Sequence, residues 1–404
     1  MKPVIAQIIY PIKYRYLFFK RKKKLLLPTF IENLKKTLSI KDDLILLGRA
    51  RTGIYLLVKY FLKKDKNNYV LIAPFTIPDV INMIIQAGGR PFFLDFKKNS
   101  TFLCLENLKK IIKEKNPSIL ILTHYSVNEE AYFEIFKLCK YNNIKLIEDS
   151  AISFNGKSNN VEINSLSDGS IFSFSSFKFL NYFFGGALRC KDKATFKKIN
   201  DEVKNWKIMN FNDYKSAIYP SIKHYLMSMQ YVFNFFTLPL LKIKNNKIIK
   251  NYTPFKFGTM EESYFKRPSE GCLKELNSKL KTVKIFQEHR RKISLIYLKY
   301  LKNISIPKNI DEKKILESSC NHYLIATPRS KILRNRLLDK NFHTGKLFYE
   351  NCSELDVLKN YEGNTKNISK LIENLILLPT HFKISEQYAT EIAKEIKRKF
   401  ANDH

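Results

Sequence analysis

The stretch YVLIAPFTIPDVINMIIQAGGRPFFLD, residues 69–95, alternates between two kinds of secondary structure. Its apolar runs Tyr69–Ala73 and Arg90–Leu94 have the length of buried strands, and Asp79–Gly88 between them has helical spacing. A strand, a helix and a second strand in this order predict parallel pairing, because the helix returns the chain to the end of the sheet where it started.

The same alternation continues along the chain to residue 147. Ser118–Thr123 and Ile144–Ile147 have the apolar composition of buried strands, whereas Leu105–Glu114 and Glu129–Tyr141 have helical spacing. We therefore expect an α/β fold with a mostly parallel sheet flanked by helices on both faces. Ligands of such sheets bind at the carboxyl ends of the strands, so site residues are expected at that edge.

Changes in composition divide the chain into four predicted units. These are a basic N-terminal arm at 1–42 outside the main domain, a large domain at 43–205, an aromatic-rich insertion at 206–256 and a smaller C-terminal α+β domain at 257–404. The last unit is predicted from a helix spanning Ser269 to about Asn303, the apolar stretches Tyr323–Thr327 and Leu375–Leu378, and a helix from about Ser385.

The chain is strongly basic, with 71 Lys and Arg residues against 37 Asp and Glu, which gives a formal net charge of +34. Such a charge attracts nucleic acid, anionic lipid and phosphorylated substrates alike. It is spread over the whole chain together with abundant Asn, Ile and Phe, so an AT-rich genome also explains it. No helix-turn-helix, zinc-finger or RNP-like pattern is present, and specific nucleic-acid binding is therefore not expected.

The cysteines and the N-terminal residues predict a cytoplasmic protein. The six cysteines are scattered and form no CxxC pair, which argues against a disulfide framework and against a metal site. The apolar run Val4–Tyr10 is short and no small-residue cleavage site follows it, so no signal peptide is predicted.

Two segments suggest a peripheral membrane contact. Residues 1–42 carry the basic cluster Lys20–Lys24, for which a solvated charge run or a dimer-embracing arm are the alternatives. The insertion at 206–256 contains the uncharged run Tyr225–Leu241, which is slightly short for a transmembrane span and includes Pro239. A core or dimer-interface helix and a contact at the membrane surface both stay open for it.

Two motifs carry the residues with the clearest chemistry. IEDSA at 147–151 contains two carboxylates at the end of a predicted strand. Ligands of a parallel sheet bind at such strand ends. SDGSIFSFSSFK at 167–178 ends in Lys178, whose neighbours Phe177 and Phe179 would favour the neutral amine that a Schiff base requires. Each motif alone is a weak signal, since a strand-end Asp often caps a helix and a lysine between aromatics often extends into solvent.

Their order resembles the DegT/StrS family of sugar-nucleotide aminotransferases, which show IEDAAQ-like, GDxGxFSFxxxK and GGA-like patterns. The third pattern has its counterpart in the GGA turn at 185–187. Weaker similarity extends from about residue 44 to the C-terminus and includes LTHYS (122–126), RPSE (267–270), TGKLFY (344–349) and LLPTH (377–381). The resemblance implies fold type I, the cofactor pyridoxal 5'-phosphate (PLP) and a homodimer.

The resemblance also implies catalytic roles. Lys178 would form the Schiff base with PLP and then move the proton during transamination, acting as general base and acid. Asp149 would pair with the protonated pyridine nitrogen and so keep the ring an electron sink.

The cofactor phosphate would have two contacts. One is Ser173, five residues before the lysine. The other is the turn GRARTG at 48–53, where Arg51 and Thr52 fall at the family's phosphate-binding positions. The turn leads into a predicted helix, Ile54–Phe61, whose N-terminus would offer free N–H groups and partial positive charge to a dianion.

Three positions depart from the family pattern. Ile77 stands where an aromatic residue usually covers the pyridine ring, and Phe75 is the expected compensation. Ile152 replaces a Gln or His near the ring hydroxyl, and Phe265 replaces an Asn that reaches the neighbouring subunit's cofactor. These changes bear on turnover and not on the central lysine and aspartate.

The predicted reaction moves an amino group from an amino acid, with glutamate as the expected donor, to a keto sugar carried on a nucleotide, for synthesis of a surface polysaccharide or related glycan. His343 and His381 are predicted to line the sugar-nucleotide side of the cleft, and His124 is expected to be structural. The alternative is a catalytically diverged member that acts as a membrane-associated or regulatory binding protein. A keto-sugar dehydratase ranks low, because such members replace the lysine by histidine.

Overall fold

The computed structural model describes residues 26–63, 66–125, 131–176, 178, 180–243, 257–345 and 349–401. The helices are α1 (Leu26–Leu38), α2 (Ala50–Phe61), α3 (Pro78–Gln86), α4 (Leu105–Lys115), α5 (Tyr132–Tyr141), α6 (Lys193–Lys204), α7 (Phe211–Ser228), α8 (Gln230–Val232), α9 (Leu238–Ile243), α10 (Glu270–Leu301), α11 (Glu312–Glu317), α12 (Ser330–Asp339), α13 (Lys366–Asn374) and α14 (Glu386–Ala401). The strands are β1 (Leu44–Leu47), β2 (Asn67–Ile72), β3 (Phe75–Thr76), β4 (Arg90–Phe93), β5 (Pro117–Thr123), β6 (Lys145–Asp149), β7 (Lys157–Ser158), β8 (Val161–Glu162), β9 (Gly169–Ser173), β10 (Gly186–Cys190), β11 (His322–Ala326), β12 (Glu350–Asn351) and β13 (Leu375–Pro379).

The main sheet has seven strands in the order β1-β10-β9-β6-β5-β2-β4. The strands β9, β6, β5, β2 and β4 run parallel, whereas β10 and β1 pair antiparallel at one edge. The predicted α/β fold with a mostly parallel sheet is therefore confirmed. The strands and helices predicted from 69 to 147 are present with ends shifted by a few residues, except that Glu129 and Glu130 lie outside the described residues.

Both faces of the sheet are buried, which explains the unbroken apolar runs of its strands. In β5, Ile119 and Ile121 lie in one core, which α2, α3 and α6 cover. The residues that alternate with them, Leu120 and Leu122, lie in the opposite core with α4 and α5. The carboxyl ends of β5, β6 and β9 meet at one edge, where Thr123 pairs with Asp149.

The C-terminal domain is the expected smaller α+β unit. Its strands β11 and β13 pair antiparallel, and their buried side chains pack with those of α10, α12 and α14. Helix α10 confirms the long helix predicted after Ser269, and the Ser269 hydroxyl caps it by accepting from the Cys272 N–H at 3.2 Å. The helix links the cores, because Leu276 packs in the large domain and Tyr297 in the small one.

Residues 26–38 belong to the main domain, and the prediction that they form part of an outlying arm is wrong. They form α1, which packs on α10 and buries Phe30, Leu34 and Leu38 in the core that contains Leu276. The spacing of these three residues, four apart, is that of an amphipathic helix. Residues 1–25, including the cluster Lys20–Lys24, lie outside the described residues.

The described part of the aromatic-rich insertion, residues 206–243, contains a pair of helices at 211–243, which we call the helical hairpin. Helix α7 ends at Ser228, and at Met229 the chain reverses into α8, a π-helical segment (Phe233–Thr237) and α9. The Thr237 hydroxyl donates to the Met227 carbonyl at 3.1 Å and so joins the two arms. Over the residues that the structure describes, no helix combines the length and apolar character that a membrane crossing requires. Residues 244–256 are outside that description.

The packing of α1 predicts a large effect on stability. Leu34→Ala is expected to lower the free energy of unfolding by about 2–5 kcal/mol, because the substitution leaves a cavity at a fully buried position. Leu27→Ala on the same helix is the matched control, since Leu27 is 43% exposed. Denaturant unfolding followed by circular dichroism measures both, and equal effects of the two variants would contradict the placement of α1.

Candidate active site

Asp149 ends β6 at the carboxyl edge of the sheet and is almost fully buried. The backbone holds it from both sides: the His124 N–H donates to its carbonyl at 3.0 Å, and the Ala151 N–H donates to its Oδ1 at 3.0 Å. Burial raises the pKa of Asp149 above its usual value, and the Ala151 N–H and the charge of Lys178 oppose that rise. The site therefore holds a buried carboxylate that a cationic partner would stabilise.

Lys178 lies in the loop between β9 and β10. The loop is closed by backbone hydrogen bonds, in which the Phe174 N–H donates to Gly185 and the Tyr182 N–H donates to Phe174. Burial lowers the pKa of Lys178 to about 8, with the Asp149 carboxylate opposing this and the Arg51 guanidinium adding to it. A substantial fraction of the amine is therefore neutral near physiological pH, which a nucleophilic lysine needs.

The N-terminus of α2 completes the site. Its first residue follows Arg49, and no side chain caps the helix there. Arg51 forms an ion pair with Asp79, and its guanidinium lies 5.5 Å from the centroid of the Tyr264 ring. The Thr52 hydroxyl is buried and donates to the Tyr264 carbonyl at 3.0 Å, so the backbone N–H is the group that Thr52 would offer to an anion.

A glycine brings α2 close to the sheet. A Cβ on Gly186, in the GGA turn at 185–187, would lie 2.5 Å from the Ala50 Cα at the start of α2. The neighbouring Gly185 has a φ of +148°, which side-chain-bearing residues rarely adopt. The turn thus sets the distance between the helix N-terminus and the Lys178 loop.

Arg49 adds a second cation beside that N-terminus. It is buried, its guanidinium lies 3.5 Å from the centroid of the Phe184 ring, and its Nη2 donates to the Ser263 hydroxyl at 3.3 Å. Burial and the charge of Arg51 lower its pKa to about 10. Its Nε has no hydrogen-bond partner within the described residues. Ser173 lies buried at the end of β9, with its hydroxyl 3.4 Å from that of Ser175.

Comparison with known proteins agrees with this arrangement. Residues 42–216 match the model of the DegT/DnrJ/EryC1/StrS aminotransferase family, and this stretch contains Arg51, Asp149, Ser173 and Lys178. This part of the chain is similar to that family. The resemblance recognised from the sequence is thereby confirmed, and PLP is the cofactor of the family.

Individual relatives are distant. A Campylobacter jejuni UDP-4-amino-4,6-dideoxy-N-acetyl-beta-L-altrosamine transaminase is 26% identical over 171 residues, 42% of this chain and 45% of that protein. The chain thus matches less than half the length of this curated relative. Helicobacter pylori PseC, an aminotransferase involved in pseudoaminic acid biosynthesis, is 16% identical with a TM-score of 0.73 over 99% of this chain and 100% of that one. The aminotransferase TlmJ from Streptoalloteichus hindustanus is 16% identical, with a TM-score of 0.72 over 99% of this chain and 100% of that one. At these identities the structures show the fold, which is fold type I.

The residues present fit the family's cofactor. A phosphate would find the uncapped N-terminus of α2 and two arginines, of which only Arg51 has a described carboxylate partner. A protonated pyridine nitrogen would find the buried Asp149, whose raised pKa marks a carboxylate without enough compensating charge. An aldehyde would find the partly neutral amine of Lys178.

The residues that depart from the family pattern take part in apolar packing. Ile77 precedes α3 and is half-buried, whereas Phe75 is fully buried against the rings of Tyr125 and Tyr349. Phe75 therefore has no accessible surface with which to cover a bound ring, contrary to its expected compensating role. Ile152 is buried in the core on the α4 and α5 side of the sheet.

Phe265 contacts two other aromatic rings. Its centroid lies 5.7 Å from that of Tyr55 and 5.4 Å from that of Trp206, both at nearly perpendicular angles. These contacts place Phe265 in the packing between α2 and the segment that follows α6.

Histidines occupy three different settings. His124 contacts the fully buried Glu148 at 2.7 Å, which agrees with the expected structural role; although burial favours the neutral acid, His124 lowers the pKa of Glu148. His343 packs on Phe233 of the helical hairpin, with ring centroids 5.1 Å apart, and burial lowers its pKa to about 4. His343 therefore serves packing between the hairpin and the C-terminal domain.

His322 is a candidate site residue that sequence analysis missed. It begins β11 opposite Pro379, near the buried His381. Burial, followed by the charges of Arg290, His381 and Lys178, lowers its pKa to about 3, so the ring is neutral at physiological pH. The two apolar stretches that form β11 and β13 each have a histidine near one end. Had antiparallel pairing of these stretches been predicted, it would have placed the two histidines close together.

The opposed charges at the site predict a measurable titration. Reductive methylation, which labels neutral amines, should modify Lys178 half-maximally at a pH of about 8 in the cofactor-free protein. In Asp149→Asn the midpoint should fall, because the carboxylate that favours the ammonium form is gone. Peptide mass spectrometry over a pH series measures the midpoint, and a midpoint that stays or rises in the variant would refute the electrostatic account.

The close approach at Gly186 predicts a loss of cofactor binding. Gly186→Ala should displace the N-terminus of α2 and weaken PLP binding, with an overpacking cost of about 1–3 kcal/mol in stability. Absorbance titration with PLP and denaturant unfolding measure the two effects. Ala187→Gly, one residue further along β10, is the control for a nearby change that adds no atom. An unaltered PLP affinity in Gly186→Ala would show that the helix position is not critical.

Proposed function

We propose that this protein is a PLP-dependent transaminase that moves an amino group from an amino acid, with glutamate as donor, to a keto sugar carried on a nucleotide. The observation that carries the proposal is the buried Asp149 and the half-buried Lys178, whose charges act on each other, together with the uncapped N-terminus of α2. The family match over 42–216 and the printed activity of the Campylobacter relative support it.

Each end of the cofactor has proposed partners in this chain. Ser173, Arg51 and the backbone of Thr52 would bind the phosphate at the start of α2. Asp149 would hold the proton on the pyridine nitrogen through an ion pair in a buried site. Ile77, half-buried at the start of α3, is the proposed apolar cover for the ring.

PLP, when bound, would supply the electron sink that stabilises negative charge at the substrate carbon. Lys178 would attach the cofactor through its Nζ and afterwards carry the proton between the substrate carbon and the cofactor. Its pKa of about 8 suits this work, because an acid–base group is most effective when its pKa lies near the working pH. His322, whose pKa burial and nearby charges that include Lys178 lower, stays neutral, so it can donate and accept hydrogen bonds without adding charge.

The substrate assignment rests on charge and on the relatives. A net charge of +34 suits a substrate that carries a diphosphate. His381 and His322 would lie on the sugar-nucleotide side, where the C-terminal domain meets Lys178. For His343 a place on the sugar-nucleotide side stays a prediction from the sequence, and the ring contact described for it is with Phe233.

A homodimer, a cytoplasmic location, a role in glycan synthesis and the lack of specific nucleic-acid binding stay predictions from the sequence and the family resemblance. The catalytically diverged alternative is separated from the proposal by the reaction with an amino acid. A diverged protein would bind PLP and leave it unconverted.

The first half-reaction tests the proposal. Purified protein should take up PLP with the absorbance band of a lysine-bound cofactor, and glutamate should convert that band to the band of pyridoxamine phosphate. Lys178→Ala should lose the first band, because no amine remains to attach the aldehyde. Lys157→Ala, at a position well exposed to solvent, is the matched control and should behave as wild type. A wild-type protein that never shows the band would refute the proposal.

A further inference from the structure

The outer face of the helical hairpin carries a concentration of exposed apolar side chains. Of the nineteen large apolar side chains that are exposed among the described residues, ten lie in the hairpin, between Phe211 and Leu240. Those around the chain reversal are Tyr225, Leu226, Met229, Tyr231, Phe235 and Phe236. Tyr231, Phe235 and Phe236 are 80%, 71% and 67% exposed. A concentration of exposed apolar side chains of this kind marks an interaction site on a folded protein.

The inner face of the hairpin already has its partners. Tyr214 packs its ring on Tyr182 and Phe184 of the Lys178 loop, at centroid distances of 5.5 and 6.2 Å. On the second arm, Phe233 and Leu238 pack on Leu338 of α12. The hairpin is therefore seated through one face, and the exposed aromatic residues of the other face are not required for that packing.

The charged side chains of this segment are almost all positive. Lys207, Lys215 and Lys223 are exposed, and among described residues 206–243 the sole acidic side chain is Asp213. Asp213 is engaged with Lys266 of the main domain at 2.7 Å. In a two-fold contact through this segment the same lysines would face each other, whereas an anionic lipid surface brings the complementary sign.

We propose that the helical hairpin docks this protein on the surface of an anionic lipid membrane. The aromatic side chains beside Met229 would enter the headgroup region, where amphipathic and aromatic rings are favoured. Lys215 and Lys223 would contact lipid phosphates, and long lysine side chains can reach them while their stems cover apolar surface. The contact is interfacial, in keeping with the lengths and compositions of the described helices.

Vesicle flotation of the full-length protein tests the proposal. Wild type should float with vesicles of equal parts phosphatidylcholine and phosphatidylglycerol, and binding should weaken with pure phosphatidylcholine and with added salt. Phe235→Ser/Phe236→Ser should lower the affinity for the anionic vesicles by about tenfold or more, because two large apolar side chains no longer enter the interface. Lys215→Glu/Lys223→Glu should lower it as well.

A matched double variant controls for general loss of surface apolarity. Ile285→Ser/Ile332→Ser removes two side chains that are 62% and 55% exposed elsewhere, and it should float as wild type. Circular dichroism melting verifies that every variant is folded.

Two results would overturn the proposal. If Phe235→Ser/Phe236→Ser floats as well as wild type, any lipid binding comes from charge outside the hairpin. Light scattering in lipid-free buffer tests the other occupant: a wild-type oligomer that the same substitutions dissociate would show that a second copy covers the surface. Neither result depends on transamination, because the substituted residues lie outside the candidate active site.

Discussion

The burial of opposite charges at the carboxyl edge of the sheet is the constraint on which the site depends. Burial works against both ions, raising the pKa of Asp149 and lowering that of Lys178, while the attraction between them opposes each shift. Arg51 tips the balance further against the ammonium form. A ligand with a cationic ring nitrogen and an anionic phosphate would neutralise the charge of Asp149 and the partial charge at the start of α2 together. The same buried charges that lower the pKa of Lys178 thus favour binding of such a ligand.

Much of this arrangement was predictable from the sequence, since it depends on local order. Asp149 ends a strand, and the apolar runs of that strand and its neighbours predict a parallel sheet, so its edge position follows. His322 was missed because its place depends on the pairing of β11 with β13, more than fifty residues away in sequence. Helix α1 was missed because its neighbouring basic cluster dominates the composition, although Phe30 and Leu34 have helical spacing.

The unusual apolar residues near the site take part in tertiary packing that sequence motifs do not predict. Phe75 was expected near the cofactor, yet the Tyr125 hydroxyl donates to its carbonyl at 2.5 Å and its ring is enclosed by aromatic neighbours. Phe265 likewise belongs to a contact with Tyr55 and Trp206. Long-range contacts of this kind depend on the whole tertiary arrangement, which alignment to a short motif does not contain.

The helical hairpin is joined to the site through hydrogen bonds at two points. On the phosphate side, Asp213 of α7 accepts from the Lys266 ammonium at 2.7 Å, and the Lys266 carbonyl accepts from the Gly48 N–H at 2.8 Å. On the lysine side, the Ser176 and Ser221 hydroxyls lie 3.2 Å apart, which links α7 to the loop two residues before Lys178. The hairpin therefore braces both walls of the candidate site with its inner face. An element so placed cannot be treated as an appendage, because any force on its outer face acts on the segments that position the lysine and the phosphate-binding helix.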